Sequence, residues 1–216
     1  MPLFCTIPRA SGAKSPEWKG AYHRPAERAS LTQQDRFKVA ATQNSTKWYN
    51  SSAKLHPASA TGVVQIYDPT TKSFVDHPES TWDDPIVDLD GPFVYFLSTV
   101  NVDRLEPAFE ISPLSRTIPS TEASCEIVIV RPLRDPSLDS DNPETRTTFR
   151  DKLWAVLGAV YKKGSHIDLG YDDEGNIVEN ASGPAVVEYV RCGGWEWAPV
   201  GLSFLKLWSF HPKVIF

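Results

Sequence analysis

The chain has 216 residues, 41% hydrophobic and 23% charged, with 22 Lys and Arg against 27 Asp and Glu for a formal charge of −5. That composition belongs to a globular protein with one substantial core, and it excludes wholesale disorder, collagen and coiled coil. The charge is uneven, +6 over residues 1–60 and −11 over the rest. The main body therefore lacks the clustered Lys and Arg that hold phosphates, and nucleic acid is excluded as a partner.

Residues 1–60 carry Pro2, Pro8, Pro16, Pro25 and Pro57 among many small polar residues, and read as an irregular, solvated basic arm. One short helix is expected over residues 31–42. From Gly62 the texture changes: Val63, Val64, Ile66 and Tyr67 read as a strand, 68–71 as a turn and 72–75 as the returning strand. An uncovered edge along Val63–Tyr67 would call for a partner, a second copy or a nucleotide-binding chain; the oligomeric state itself is left open. Acidic residues 76–91 read as a loop.

The run from Pro92 to Val100 is apolar and of strand length, which predicts burial on both faces. Residues 101–123, with Pro107, Pro113 and Pro119, form a long connection of the kind that serves function or is ordered by a ligand. Cys125 to Arg131 is a second, β-branched strand closed by Pro132. A helix follows, with Asn142 as N-cap, Pro143 at its first position, Glu144 in its first turn, and Phe149, Leu153, Val156, Leu157 and Val160 on one face. Gly164 ends it. Residues 166–171 and 185–190 read as strands, with turn chemistry at 172–176 ahead of Ile177 and Val178. The fold class is α+β and mainly β: a β-sandwich-like sheet covered by one long helix, with an irregular N-terminal arm. The divisions are 1–60, 61–199 and an apolar tail, 200–216.

Several chemistries lack their motifs. The sequence contains no Walker loop, no Gly-x-Gly-x-x-Gly, no Gly-x-Ser-x-Gly and no His-Glu-x-x-His. Its five histidines stand singly, and His166 reads as an edge residue at a strand start. Asp83, Asp84, Asp88, Asp90, Asp139 and Asp141 read as solvated loop carboxylates. Cys5, Cys125 and Cys192 are widely spaced, which supports neither a disulfide framework nor a Cys-x-x-Cys clip and fits a reducing, cytoplasmic setting. No run of 18 apolar residues exists to span a bilayer, and Leu3 to Ile7 is too short for a signal peptide core. Trp195 and Trp197 flank Glu196 and either pack a strand end against the sheet or face a ligand.

The run Phe93 to Arg134, the helix after it, and Val187 to Pro199 resemble the C-terminal, β-rich half of the diacylglycerol-kinase and sphingoid-base-kinase superfamily, particularly its fungal members. The elements that match are the strand Tyr95–Val100, the polar elbow at Asn101, the loop prolines Pro107 and Pro113, and the strand Ile127–Val130. Coverage runs over residues 62–199. The resemblance implies a lipid kinase in which an N-terminal α/β domain carries a Gly-Gly-Asp-Gly nucleotide loop and a C-terminal β-sandwich shapes the lipid pocket. Phosphoryl transfer there needs ATP and Mg²⁺. This chain has no such loop and no room for that domain before residue 60. It also departs from the family at Glu122-Ala123-Ser124, where Asp-Gly is usual, and no Asp-Gly-Glu follows Trp197. The aromatic tail accordingly reads as the mark of a truncated or mis-spliced product.

The expectation is therefore a lipid-substrate-binding half that is not catalytic alone. It has no cofactor of its own, and ATP and Mg²⁺ enter only with a supplied nucleotide domain. Phe93, Tyr95, Leu97 and Phe109 are expected to line an acyl-chain pocket, with Asn101 or Asp103 near the lipid hydroxyl, against the plain alternative that all four apolar residues are core. No catalytic or metal-ligating residue is assigned. The partner is a sphingoid base or diacylglycerol, met at a membrane surface. The rival expectation is a non-catalytic β-rich interaction module that uses the Trp195 and Trp197 ledge or the tail to hold a partner or a membrane.

Overall fold

The computed structural model describes residues 39, 42–100, 102–120, 122–179, 181 and 183–199. The expected arm up to residue 38, most of the expected 31–42 helix and the 200–216 tail lie outside the described residues. The chain divides into two compact units, Met1–Asn44 and Ser45–Phe216, and all ten strands found among the described residues lie in the second.

That unit is mainly β. Its strands are β1 (Ser51–His56), β2 (Gln65–Asp68), β3 (Ser73–Asp76), β4 (Val87–Asp90), β5 (Tyr95–Thr99), β6 (Cys125–Val130), β7 (Leu169–Tyr171), β8 (Ile177–Glu179), β9 (Glu188–Cys192) and β10 (Gly194–Pro199). The described residues of this unit also form a single-turn helix α1 (Leu114–Thr117), the 18-residue α2 (Pro143–Val160) and two 3₁₀ turns, Pro132–Arg134 and Ser165–Asp168. A five-stranded sheet has the order β3-β2-β9-β6-β5, a three-stranded sheet the order β10-β1-β4, and β7 pairs with β8. Every pairing is antiparallel.

Strand β6, between the central strand β9 and the end strand β5, organises the interior, because all six of its residues are buried. Its alternation sends Cys125, Ile127 and Ile129 into a cluster with Ala53 and Leu55 of β1 and Val87 and Leu89 of β4. Val128 and Val130 point the other way, into a cluster with Phe149, Leu153, Val156 and Val160 of α2. The large sheet thus buries apolar side chains on both faces. Helix α2 follows its sequence signals: Asn142 Oδ1 accepts from Thr145 N at 2.9 Å, and Gly164, at φ +70°, donates its N–H to Val160 O at 3.1 Å.

Several elements differ from the sequence-based expectation. β1 lies in the segment read as irregular arm, because Ser51 to His56 offers only Ala53 and Leu55 as apolar residues. It is a strand because β10 and β4 pair with it on both sides, placing Ala53 between Trp197 and Leu89 and Leu55 between Trp195 and Val87. β4 lies in the segment read as loop, its Val87 and Leu89 buried and its Asp88 and Asp90 exposed. β5 ends the large sheet and is only half-buried up to Ser98, so it is β6, and not the 92–100 run, that is covered on both faces. The Val63–Tyr67 segment is not an edge, since β2 pairs with both β3 and β9. His166 is fully buried in a 3₁₀ turn ahead of β7, with Nε2 3.2 Å from Ile111 O.

Between β9 and β10 the chain leaves one sheet and enters the other at Gly193. Gly193 N donates to His56 O at 2.8 Å, and a Cβ there would collide with the Pro57 carbonyl oxygen. Only glycine lets the two backbones approach this closely. The crossing places Trp195 and Trp197 on β10, just after the wholly buried strand β9.

Candidate functional site: an aromatic groove where two sheet edges meet

β5 closes one end of the large sheet and β10 one end of the small sheet, and the aromatic side chains of both meet. Phe93 and Trp197 rings lie 5.0 Å apart, Phe96 and Trp197 5.0 Å, Phe96 and Trp195 5.2 Å, and Phe93 and Phe96 5.9 Å in edge-to-face contact. These separations fall in the range where aromatic quadrupoles attract beyond simple burial. A groove of about 400 Å³ is lined by Tyr49, Phe93, Val94, Tyr95, Phe96 and Trp197.

Backbone pairing holds the groove in shape. Tyr49 N donates to Phe93 O at 2.8 Å, Phe93 N donates back to Tyr49 O at 2.9 Å, and Val94 N donates to Val130 O at 3.0 Å. Phe93 is 1% exposed and forms the floor, whereas Tyr49 is 46% exposed and forms the rim. None of the six lining side chains is charged. Burial pushes the Tyr95 phenol up to about 12, so at neutral pH it is a neutral hydroxyl able to donate or accept. An uncharged, aromatic groove with two phenols suits an apolar ligand carrying a hydroxyl.

The structure separates the residues singled out in the sequence. Phe93 and Tyr95 both line the groove. Tyr95 also packs against the helix-side core, together with Leu97 and Phe109, and there Phe109 meets Tyr161 edge-on at 4.9 Å. Asp103 is held by Arg104 Nε of its own loop at 2.8 Å and by Arg116 Nε of α1 at 2.9 Å; burial raises its pKa, but those guanidiniums outweigh that and lower it. Asn101 lies outside the described residues. Tyr49, Val94 and Phe96 were not singled out. Phe96 belongs to the other phase of the β5 alternation from Tyr95 and Leu97 and packs on the opposite face, with Phe93, Trp195 and Trp197. Tyr49 carried no sequence signal at all.

Polar chemistry elsewhere is structural. Glu188, 1% exposed, accepts from Arg131 at 2.7 and 2.8 Å and from Arg134 at 2.9 Å. On the opposite face Glu126 pairs with Arg191 at 2.7 Å and accepts the Tyr189 hydroxyl, both carboxylate and guanidinium being nearly excluded from solvent. Burial first, and Glu126 second, raise the Tyr189 pKa far above its usual value. Asp135 accepts from Lys152 and from Ser137 Oγ at 2.6 Å, fastening α2 to a turn. Asp88 and Asp141, read as solvated, pair with Lys54 at 3.0 Å and with Arg146. No cluster of three or more His, Cys, Asp or Glu suited to a metal ion occurs among the described residues.

No family model, no curated protein and no solved structure matches this chain. Among the described residues no helix is long and apolar enough to cross a membrane.

Proposed function

We propose that the Ser45–Pro199 region is a non-catalytic lipid-binding domain of β-sandwich type that holds an acyl chain in the Tyr49–Phe93–Tyr95–Trp197 groove. The reading gains its support from the groove itself: an uncharged aromatic trough of about 400 Å³ with a buried Phe93 floor and an exposed Tyr49 rim. That volume lies within the range of about 300–1,000 Å³ typical of small-molecule sites. Each methylene taken out of water there contributes about 0.8 kcal/mol. The Tyr95 and Tyr49 hydroxyls supply partners for a lipid head. The resemblance to the lipid-binding half of diacylglycerol and sphingoid-base kinases points the same way and suggests those two lipid classes as ligands. ATP and Mg²⁺ belong to this reading only where a separate domain supplies the nucleotide site, and contact with a membrane is peripheral.

Flotation of the full chain with phosphatidylcholine vesicles, with and without sphingosine or diacylglycerol, tests this. Co-flotation that needs either lipid and is lost in Tyr95→Arg supports the groove; flotation indifferent to both lipid and substitution refutes it. A second reading rests on a different observation: β5 and β10 both end their sheets, which is the geometry that accepts an added strand from a peptide. Under that reading the chain ignores vesicles and captures an extended apolar peptide instead.

A further inference from the structure

The β6–β9 register sets Cys125 directly opposite Cys192 in antiparallel pairing. Their Sγ atoms lie 3.5 Å apart and both cysteines are free. Residues opposed in this way have Cα atoms about 4.5–5.5 Å apart, within the range of about 4.4–6.8 Å that disulfides span. The two sulfurs therefore need only a side-chain rotation to reach the bonding distance of about 2.05 Å. The surroundings also differ between the two. Cys125, at the start of β6, retains 8% exposure, whereas Cys192 is fully enclosed. The hydrogen bond between the two sulfurs, with a further one from Ser98, holds the Cys125 pKa below its ordinary value despite burial. The same contact, with burial added, raises that of Cys192. Cys125 is thus the more readily deprotonated and the more reachable of the two, with the Cys192 sulfur 3.5 Å away.

We propose that Cys125 and Cys192 form an oxidisable dithiol site that a hydroperoxide converts into an interstrand disulfide between β6 and β9. The Cys125 thiolate attacks the peroxide oxygen, breaking the O–O bond and leaving a sulfenic acid and an alcohol, or water where the oxidant is hydrogen peroxide. The Cys192 sulfur then attacks that sulfenic sulfur, expelling water and forming the S–S bond. In sum two thiols and one hydrogen peroxide give one disulfide and two waters, the thiols being oxidised and the peroxide reduced. The new bond ties β6 to the last residue of β9, next to the Gly193 crossing, and neither sulfur lines the aromatic groove.

The test is non-reducing peptide mass spectrometry of the full-length Cys5→Ser protein after hydrogen peroxide, a background that leaves these two thiols alone. The expected product is one cross-linked peptide pair joining Cys125 to Cys192, lighter by two hydrogens and released by dithiothreitol. In the Cys5→Ser, Cys192→Ser protein, Cys125 should instead accumulate as a sulfenic acid that dimedone traps. Progress of Cys125 to the sulfinic acid with Cys192 still a thiol in the Cys5→Ser protein would overturn the inference. So would survival of both thiols at peroxide doses that fully oxidise them in the urea-unfolded chain.

Discussion

Acidification should destabilise this fold through His166, and the size of the effect can be worked out. The imidazole is fully buried, and desolvation holds its pKa at about 4 against an ordinary value of 6.5. Its Nε2 lies 3.2 Å from the Ile111 carbonyl oxygen, and although backbone groups of Ile111 and Gly164 and the Asp168 carboxylate favour a charged ring, the loss of hydration outweighs them. The native state therefore keeps the ring neutral while the unfolded chain takes up a proton as pH falls below 6.5. Stability from this group is intact above about pH 6.5 and is lost progressively down to about pH 4. Between pH 7 and pH 5 the linkage amounts to about 2 kcal/mol. His77, also buried and depressed by desolvation, adds to the loss in the same direction.

Urea unfolding at a series of pH values measures this, with His166→Gln as the comparison, since its amide donates to Ile111 O without titrating. Between pH 7 and pH 5 the wild type should lose about 2 kcal/mol more than the variant. Parallel pH curves for the two proteins, or an NMR titration placing His166 near 6.5, would refute the reasoning.

Other substitutions follow from the same interior. Glu126→Leu or Arg191→Leu alone strands a buried charge and should lower stability by about 3–5 kcal/mol, whereas the double variant recovers much of that in a urea double-mutant cycle. Asn142→Ala removes the α2 cap and should lower unfolding stability by about 1 kcal/mol. Gly193→Ala forces a methyl against the Pro57 carbonyl and should lower stability by about 1–3 kcal/mol in the same assay. Asp103→Asn, in a carboxylate already held by Arg104 and Arg116, should leave lipid co-flotation within about twofold of wild type if the groove is the site.

How far the sequence reveals the fold depends on how much of each element's stability is local. α2 is legible because cap, proline, apolar stripe and terminal glycine all lie within its own residues. The β2–β3 hairpin is legible from its turn, and β6 from its branched run. β1 and β4 are not, because two apolar residues in each become a strand only between partners far along the chain. The groove is half legible for the same reason. The apolar run at 92–100 marks Phe93 and Tyr95, but nothing local places Trp197 of β10 and Tyr49 beside them. The meeting of Cys125 with Cys192 likewise exists only through the β6–β9 register.

The most direct measurement of the groove is quenching of tryptophan fluorescence by a sphingosine analogue brominated on its chain, titrated into the full-length protein. The groove predicts saturable quenching, most of it absent in Trp197→Phe, which keeps the aromatic wall but removes the reporting indole, and binding abolished in Tyr95→Arg. Quenching that never saturates, or that is unchanged in both variants, would contradict an acyl-chain site at this place.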